Sequence, residues 1–238
     1  MRSIILTAGT YAEVYLAYLQ EAGVEVVGFL DDGLVPPSVC GLPVLGKISD
    51  LPAVKEKYGV EAVYCPLGNN VLRVKFLGQA RELGLETPNY IHPTVSVGPN
   101  ASIASEGVYI LQGTVIMPYA TIEKDVMISV NSVVCHHSHL SQGVFISSGV
   151  TFGANIFAGK YAYCGMGCTV MTGPHMIGEN CLIGGGAVVI CDVEPNAVMA
   201  GVPAKVLKYK PEGGGNVSSY LIVSQKVALL SGRVCKAS

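Results

Sequence analysis

The chain has 238 residues, a net charge of −2 and only 13% charged residues, so it offers no basic face of the size a nucleic acid demands. Half of it is apolar, yet no apolar run approaches the length of a membrane span. Its length suits one large domain or two modest ones. Eight cysteines without a Cys-x-x-Cys pair give no metal-ligand spacing, so no metal is expected and the chain reads as reduced and cytoplasmic.

The N-terminus, Met1-Arg2-Ser3-Ile4-Ile5-Leu6, reads as mature sequence opening on a strand rather than as a leader. Residues 1–88 alternate strand and helix. A buried strand over Ser3–Leu6 runs into the turn Thr7-Ala8-Gly9-Thr10, and a helix follows from Ala12 to Ala22, closed by Gly23. A second strand, Glu25–Leu30, ends in Asp31-Asp32. A helix after Asp50, a strand over Ala62–Cys65 and a helix from Val71 to Gly84 complete a small parallel sheet, Rossmann-like in its first half. The strand ends could hold a nucleotide on Thr7, Gly9, Thr10, Asp31, Asp32 and the Gly68-Asn69-Asn70 turn ahead of Arg73, because an acid about 20 residues past a glycine turn suits a sugar hydroxyl or base N–H. A βα turn with one glycine and two solvated aspartates reads the same way.

From residue 89 the pattern changes. Ile91, Val97, Ile103, Ile110, Ile116, Ile122, Ile128, Val134, Leu140, Ile146, Phe152, Ala158, Cys164, Val170, Ile177, Ile183 and Val189 recur every six residues, with seven-residue steps at Ile103–Ile110 and Val170–Ile177. In a half-apolar chain a fixed register does this by chance about once in 100,000. Such a hexad repeat predicts a parallel β-helix: three hexads make a triangular coil, and the i and i+4 side chains point into the prism. One coil cannot bury its apolar face, but a stack can. Cys164, Cys168 and Cys181 fall on inward positions as small hydrophobes.

His136 and His137, at i+2 and i+3 of the hexad opened by Val134, stand at a corner outside the core, with His139 just beyond. Three of the chain's five histidines lie within four residues. The cluster is either a plain surface turn or an active-site base.

Residues 1–208 resemble the sugar O- and N-acetyltransferases of the left-handed β-helix class, which include sialic acid O-acetyltransferases and UDP-4-amino-sugar N-acetyltransferases. The matching pieces are Gly28-Phe29-Leu30-Asp31-Asp32, Gly41-Leu42-Pro43-Val44-Leu45-Gly46, Ile91-His92-Pro93 opening the helix and Ala200-Gly201-Val202-Pro203-Ala204-Lys205 closing it. The resemblance implies a nucleotide-sugar-binding domain over 1–88 and a left-handed β-helix acetyltransferase domain over 89–208; residues 209–238 form a tail of unknown role. It implies a homotrimer with acetyl-CoA as co-substrate between two chains, along Ala154, Gly165, Met166, Gly167, Gly184, Gly185 and Lys205, and a nucleotide sugar or sialic acid as acceptor.

The family's base is a histidine in a pattern resembling His-[Asp/Glu]-Cys-x-Ile-Gly. The run His136-His137-Ser138-His139-Leu140-Ser141 puts His136 in that place and His137 where the acid stands, so both are candidate catalytic residues. Glu123, Asp125 or a backbone carbonyl could orient His136 instead. Oxyanion donors are expected from the backbone at Gly165–Gly167. Ser129 stands where a substrate-contacting Asn is usual, and Thr7, Thr10 and Tyr11 replace a more glycine-rich loop. The chemistry expected is acetyl transfer to an amine of a UDP-4-amino sugar; O-acetylation of sialic acid and a non-catalytic trimeric binding protein remain as alternatives.

Overall fold

The computed structural model describes residues 1–211. The N-terminal unit has a three-stranded parallel sheet in the order β2-β1-β5, from β1 (Arg2–Leu6), β2 (Glu25–Leu30) and β5 (Ala62–Tyr64). The hairpin β3 (Ser38–Val39) and β4 (Leu42–Pro43) lies beside it. Helices α1 (Thr10–Glu21), α2 (Leu51–Tyr58) and α3 (Asn70–Glu82) cover the sheet, within two residues of the expected bounds. The close of α1 is as expected, with Gly23 in the left-handed region at φ 74°.

The repeat builds a triangular prism of two-residue rungs in three parallel sheets. The first face, called here the docked face, carries Tyr90–Ile91, Tyr109–Ile110, Met127–Ile128, Phe145–Ile146, Tyr163–Cys164 and Leu182–Ile183. The second face carries rungs from Ser96–Val97 to Val188–Val189, and the third from Ser102–Ile103 to Met176–Ile177. Each rung pairs with the one 18 residues on, as in Val133↔Thr151, except where the two seven-residue steps make it 19. One extra residue lies in the corner 104–108, where Gly107 N–H donates to Thr87 O at 2.7 Å and Glu106 pairs with Arg81, so it serves the junction of the two units. The other lies in the corner 171–175.

Inward i positions are apolar and buried from Ile110 to Val189. Where i+4 is polar its hydroxyl is satisfied by a carbonyl of the next corner: Thr114 on Ser129, Ser132 on Ser147, Ser138 on Gly153. The expectation that every register residue is interior fails at the start. Ile91 is 37% and Val97 46% exposed, because no coil lies beneath them. The far end is closed by the antiparallel strands Ala197–Gly201 and Ala204–Tyr209, which contribute Ala197, Met199 and Ala204 to the core. Burial pushes the Cys181 thiol up to about 12, as befits an inert apolar side chain.

The N-terminal unit sits on the docked face alone. Tyr15 and Phe29 pack with Tyr90, Tyr109, Met127 and Phe145 in one apolar cluster. Polar latches reinforce it. Asn70 Nδ2 donates to the carbonyls of Tyr161 and Ala162, and the Tyr109 hydroxyl accepts from Cys65 N–H. The other faces keep large apolar side chains in the open, among them Val115, Phe157 and Met176. No helix among the described residues is long and apolar enough to cross a membrane. The expected tail lies mostly outside the described residues; within them the last strand continues to Tyr209, and the Lys210 ammonium donates to Asn180 Oδ1.

Candidate active site

A cleft of about 420 Å³ opens at the C-terminal ends of β1, β2 and β5. It is lined by Thr7, Gly9, Thr10, Asp31, Asp32 and Gly68, with Tyr11, Leu67 and Phe76, so most of the expected substrate residues meet there. Gly9 begins α1 without a side-chain cap, which leaves the first N–H groups of that helix facing the position an anion prefers. The two aspartates differ. Asp31 has both oxygens engaged, Oδ2 by Ala8 N–H at 2.6 Å and Oδ1 by Gly33 N–H at 2.7 Å. Asp32 is exposed, lines the cleft and accepts Ile48 N–H through Oδ1. Asn69 caps α3 by accepting Leu72 N–H at 3.1 Å, a structural duty.

Arg73 corrects the sequence expectation. It is fully buried at the junction and donates to the carbonyls of Asp125, Leu67, Gly143 and Val144 and to Asn70 Oδ1. Burial pushes its guanidinium down, against the pull of Cys65 and Asp125. In this structure its donors serve the junction of the two units. Ser129 is likewise enclosed at the corner between docked and second faces, its hydroxyl 2.9 Å from that of Ser148.

The histidines occupy the opposite edge of the second face. His136 and His137 are exposed, and their Nδ1 atoms lie 3.0 Å apart. The His137 ring stacks on Tyr119 at 4.8 Å. His139 is half-buried against Phe157, with Nε2 2.6 Å from Glu123 Oε1. Neither acid considered as an orienter serves His136. Glu123 holds His139, and its second oxygen accepts Gln142 N–H. Asp125 is buried against Arg81 and Gln142; burial pushes its carboxyl up and those two partners pull it back.

The residues expected around acetyl-CoA divide between corners. Ala154 stands at the His136 corner, 18 residues and one coil on; its N–H donates to Thr172 Oγ1 at 3.1 Å, and Asn155 N–H donates to His136 O. Gly165, Met166 and Gly167 lie on the other edge of the second face. There the N–H groups of Gly165 and Gly167 already donate to Ile183 O and Ser148 O, so the expected oxyanion donors reduce to Met166 at that corner. A Cβ on Gly165 would stand 2.7 Å from Gly185 N, so coil stacking is what demands glycine there. Gly184 and Gly185 form the same corner one coil higher, and Lys205 is exposed on the closing strand. Sequence reasoning missed Tyr119 and Thr172, whose places follow from counting 18 residues back from His137 and 18 on from Ala154. Among the described residues no group of three His, Cys, Asp or Glu side chains could hold a metal.

A sequence profile of the PglD N-terminal domain matches residues 2–80. GDP-perosamine N-acetyl transferase from Caulobacter crescentus, solved as a histidine-to-alanine mutant in complex with CoA and GDP-perosamine, is similar with a TM-score of 0.81 and 28% identity over 87% of this chain and 97% of that one. The acetyltransferase domain of PglB from Neisseria gonorrhoeae, solved in complex with acetyl coenzyme A, is similar with a TM-score of 0.78 and 27% identity over 87% of this chain and 98% of that one. Among curated proteins, galactoside O-acetyltransferase of Escherichia coli K12 is 34% identical over 87 residues, 37% of this chain. The match spans only 39% of that relative's length. In its N-terminal domain and in its prism alike, the chain shares the architecture of the left-handed β-helix sugar acetyltransferases that its motifs resemble.

Proposed function

We propose that this protein transfers the acetyl group of acetyl-CoA to the amino group of a nucleotide-linked amino sugar, with His136 as general base. The observation that carries the reading is the His136 corner: an outward imidazole anchored through Nδ1 on a fold that otherwise uses its polar groups on itself. The amine nitrogen attacks the thioester carbonyl, and Nε2 of His136 takes its proton. The C–S bond then breaks, and the departing thiolate of CoA takes the proton back. The Ala154 N–H, released from Thr172, is a donor for the oxyanion at the same corner. The nucleotide lies in the 420 Å³ cleft, its phosphates at the uncapped start of α1 and Asp32 facing a sugar or base N–H.

The reading requires more than one copy. The cleft borders the docked face, where Tyr11 packs on Phe145 with ring centroids 6.4 Å apart. His136 is at the far edge of the second face, so the whole width of that face, about 13 Å if four extended residues rise ~3.3 Å each, separates it from the docked side. A neighbouring copy laid against the second face brings its cleft to this His136, which is the arrangement of a homotrimer with acetyl-CoA between chains. Sedimentation should give three times the 24.9 kDa chain mass; a fully active monomer would end this interface.

The acceptor expected from the resemblance is a UDP-4-amino sugar, and the likeness to the GDP-perosamine N-acetyl transferase makes a GDP-linked amino sugar the nearest competitor. Thiol release from acetyl-CoA is measured against UDP-, GDP- and CMP-linked sugars and free sugars. Release with a nucleotide amino sugar supports the reading. Release only with CMP-linked or free sialic acid moves it to O-acetylation, and no release with any acceptor leaves a binding protein of the same fold.

A further inference from the structure

At the regular corners from Val97 to Ile183 the residue at i+3 has positive φ, and the post is filled mostly by Asn or Gly, as at Asn100, Asn131, Gly143, Gly149, Asn155 and Gly167, with Tyr119, Asp125, His137 and Tyr161 as the exceptions. Asn and Gly adopt the left-handed region at least cost. At the His136 corner the post is His137, φ 58°, and directly beneath it is Tyr119, φ 64°. Two rings thus occupy posts that suit Asn, and they stack with an interplanar angle of 24°. The stack fixes the plane of His137 and presents its Nδ1 to Nδ1 of His136 at 3.0 Å. Two lone pairs cannot face each other at that distance, so one nitrogen carries the hydrogen.

Resting on the assignment of His136 as base, we propose that neutral His137 is a positioning residue, a hydrogen-bond acceptor that holds His136 in its Nδ1–H tautomer with the Nε2 lone pair outward. An acid in that place would do two things, fix the tautomer and stabilise the imidazolium by its charge. A neutral imidazole does the first without the second. The base therefore gives up the charge stabilisation that an acid would add. The titratable groups around the pair are consistent with this. Tyr119 lies below, Cys135 precedes it, and His139 follows with Glu123, whose carboxylate is engaged by His139 and Gln142. The corner above, 153–156, contributes Asn155 and no titratable side chain.

Three variants separate the roles. Asn and Gly both tolerate the backbone at 137, so neither substitution threatens the prism. His137→Asn supplies a neutral acceptor and should keep kcat within a few-fold, with an unmoved acidic limb. His137→Gly removes the acceptor and should lower kcat about tenfold or more, with the acceptor KM unchanged. His137→Glu supplies charge and should move the acidic limb of the pH–rate profile up by about one unit, since a carboxylate beside a base favours its protonated form. Nitrogen-15 NMR of the His136 ring reads the tautomer without any acceptor: Nδ1–H in the wild type, lost in His137→Gly. An Nε2–H tautomer for His136 in the wild type, or His137→Gly at the wild-type rate with an unmoved limb, overturns the proposal. If no sugar releases thiol, or if His136→Ala is fully active, it is the assignment of the base that fails, whatever the tautomer shows.

Discussion

The two halves of the chain use polar side chains differently. In the N-terminal unit the polar side chains nearest the candidate ligand mostly maintain the fold. Asp31 ties Ala8 and Gly33 together, Asn69 caps α3, and Arg73 bridges the carbonyls where the two units meet. In the prism the ladder from coil to coil satisfies the backbone, and buried hydroxyls close what remains. Some corner side chains, such as Thr172 and Asp125, still serve the fold, but the exposed side chain of His136 bonds only to its neighbour His137. An α/β sheet leaves orphan N–H and C=O groups at its strand and helix ends, and nearby side chains must answer them. A β-helix leaves few, so a histidine placed outside it is free for chemistry.

The largest test of that contrast is His136→Ala. Its side chain is exposed, so the protein should fold with an unchanged Tm while the rate falls about 100- to 10,000-fold, mostly in kcat. A folded variant turning over at the wild-type rate would remove His136 from the chemistry and leave His139, held by Glu123, as the next base to test. The converse experiment is Arg73→Ala. Its loss strands buried carbonyls on both units, and unfolding free energy should fall by about 3–5 kcal/mol. Were Arg73 a substrate ligand instead, Tm would hold and only the acceptor KM would rise.

The prism was legible because period six has few alternative readings, and both seven-residue steps fall where a corner is lengthened. Which face carries the N-terminal unit was also written in the repeat, though less openly. Every third outward rung residue is large and apolar (Tyr90, Tyr109, Met127, Phe145, Tyr163, Leu182), whereas the second face has only Ser, Thr or Val at that position (Ser96, Val115, Val133, Thr151, Thr169, Val188). Arg73 was not legible. An arginine after a Gly-Asn-Asn turn looks the same whether it faces ligand or the carbonyls of Asp125 and Gly143, dozens of residues away. The exposure of Ile91 and Val97 was hidden for another reason: periodicity says which way a side chain points, not whether a coil exists beneath it.

The aspartate pair divides the N-terminal unit against itself. Asp31→Asn places an amide hydrogen against a backbone donor and should lower stability by about 1–3 kcal/mol with little change in acceptor KM. Asp32→Asn should leave Tm almost alone and raise acceptor KM about 5- to 30-fold, the equivalent of ~1–2 kcal/mol of lost hydrogen bonding. Acetyl-CoA affinity should not respond to either. If the two variants behave alike in both assays, the distinction drawn from their hydrogen bonds is wrong.

The smallest effect is expected at Thr7, the turn residue between β1 and the cleft. Its φ is +83°, a region that costs a β-branched side chain about 1–2 kcal/mol, and its N–H is fixed by Leu30 O at 2.7 Å. Glycine would relieve that cost while adding about 0.5–1 kcal/mol of chain entropy to the unfolded state. The balance favours the folded chain, so Thr7→Gly should raise unfolding free energy by a few tenths to about 1 kcal/mol. Thr7 lines the cleft, so the same change should weaken acceptor binding by a few-fold. A gain in stability together with a loss in acceptor affinity would mean that the left-handed threonine is held for the ligand. A gain in stability with unchanged acceptor kinetics would make it a strained turn and nothing more, and would restrict side-chain contacts to the acceptor to Thr10, Tyr11 and Asp32.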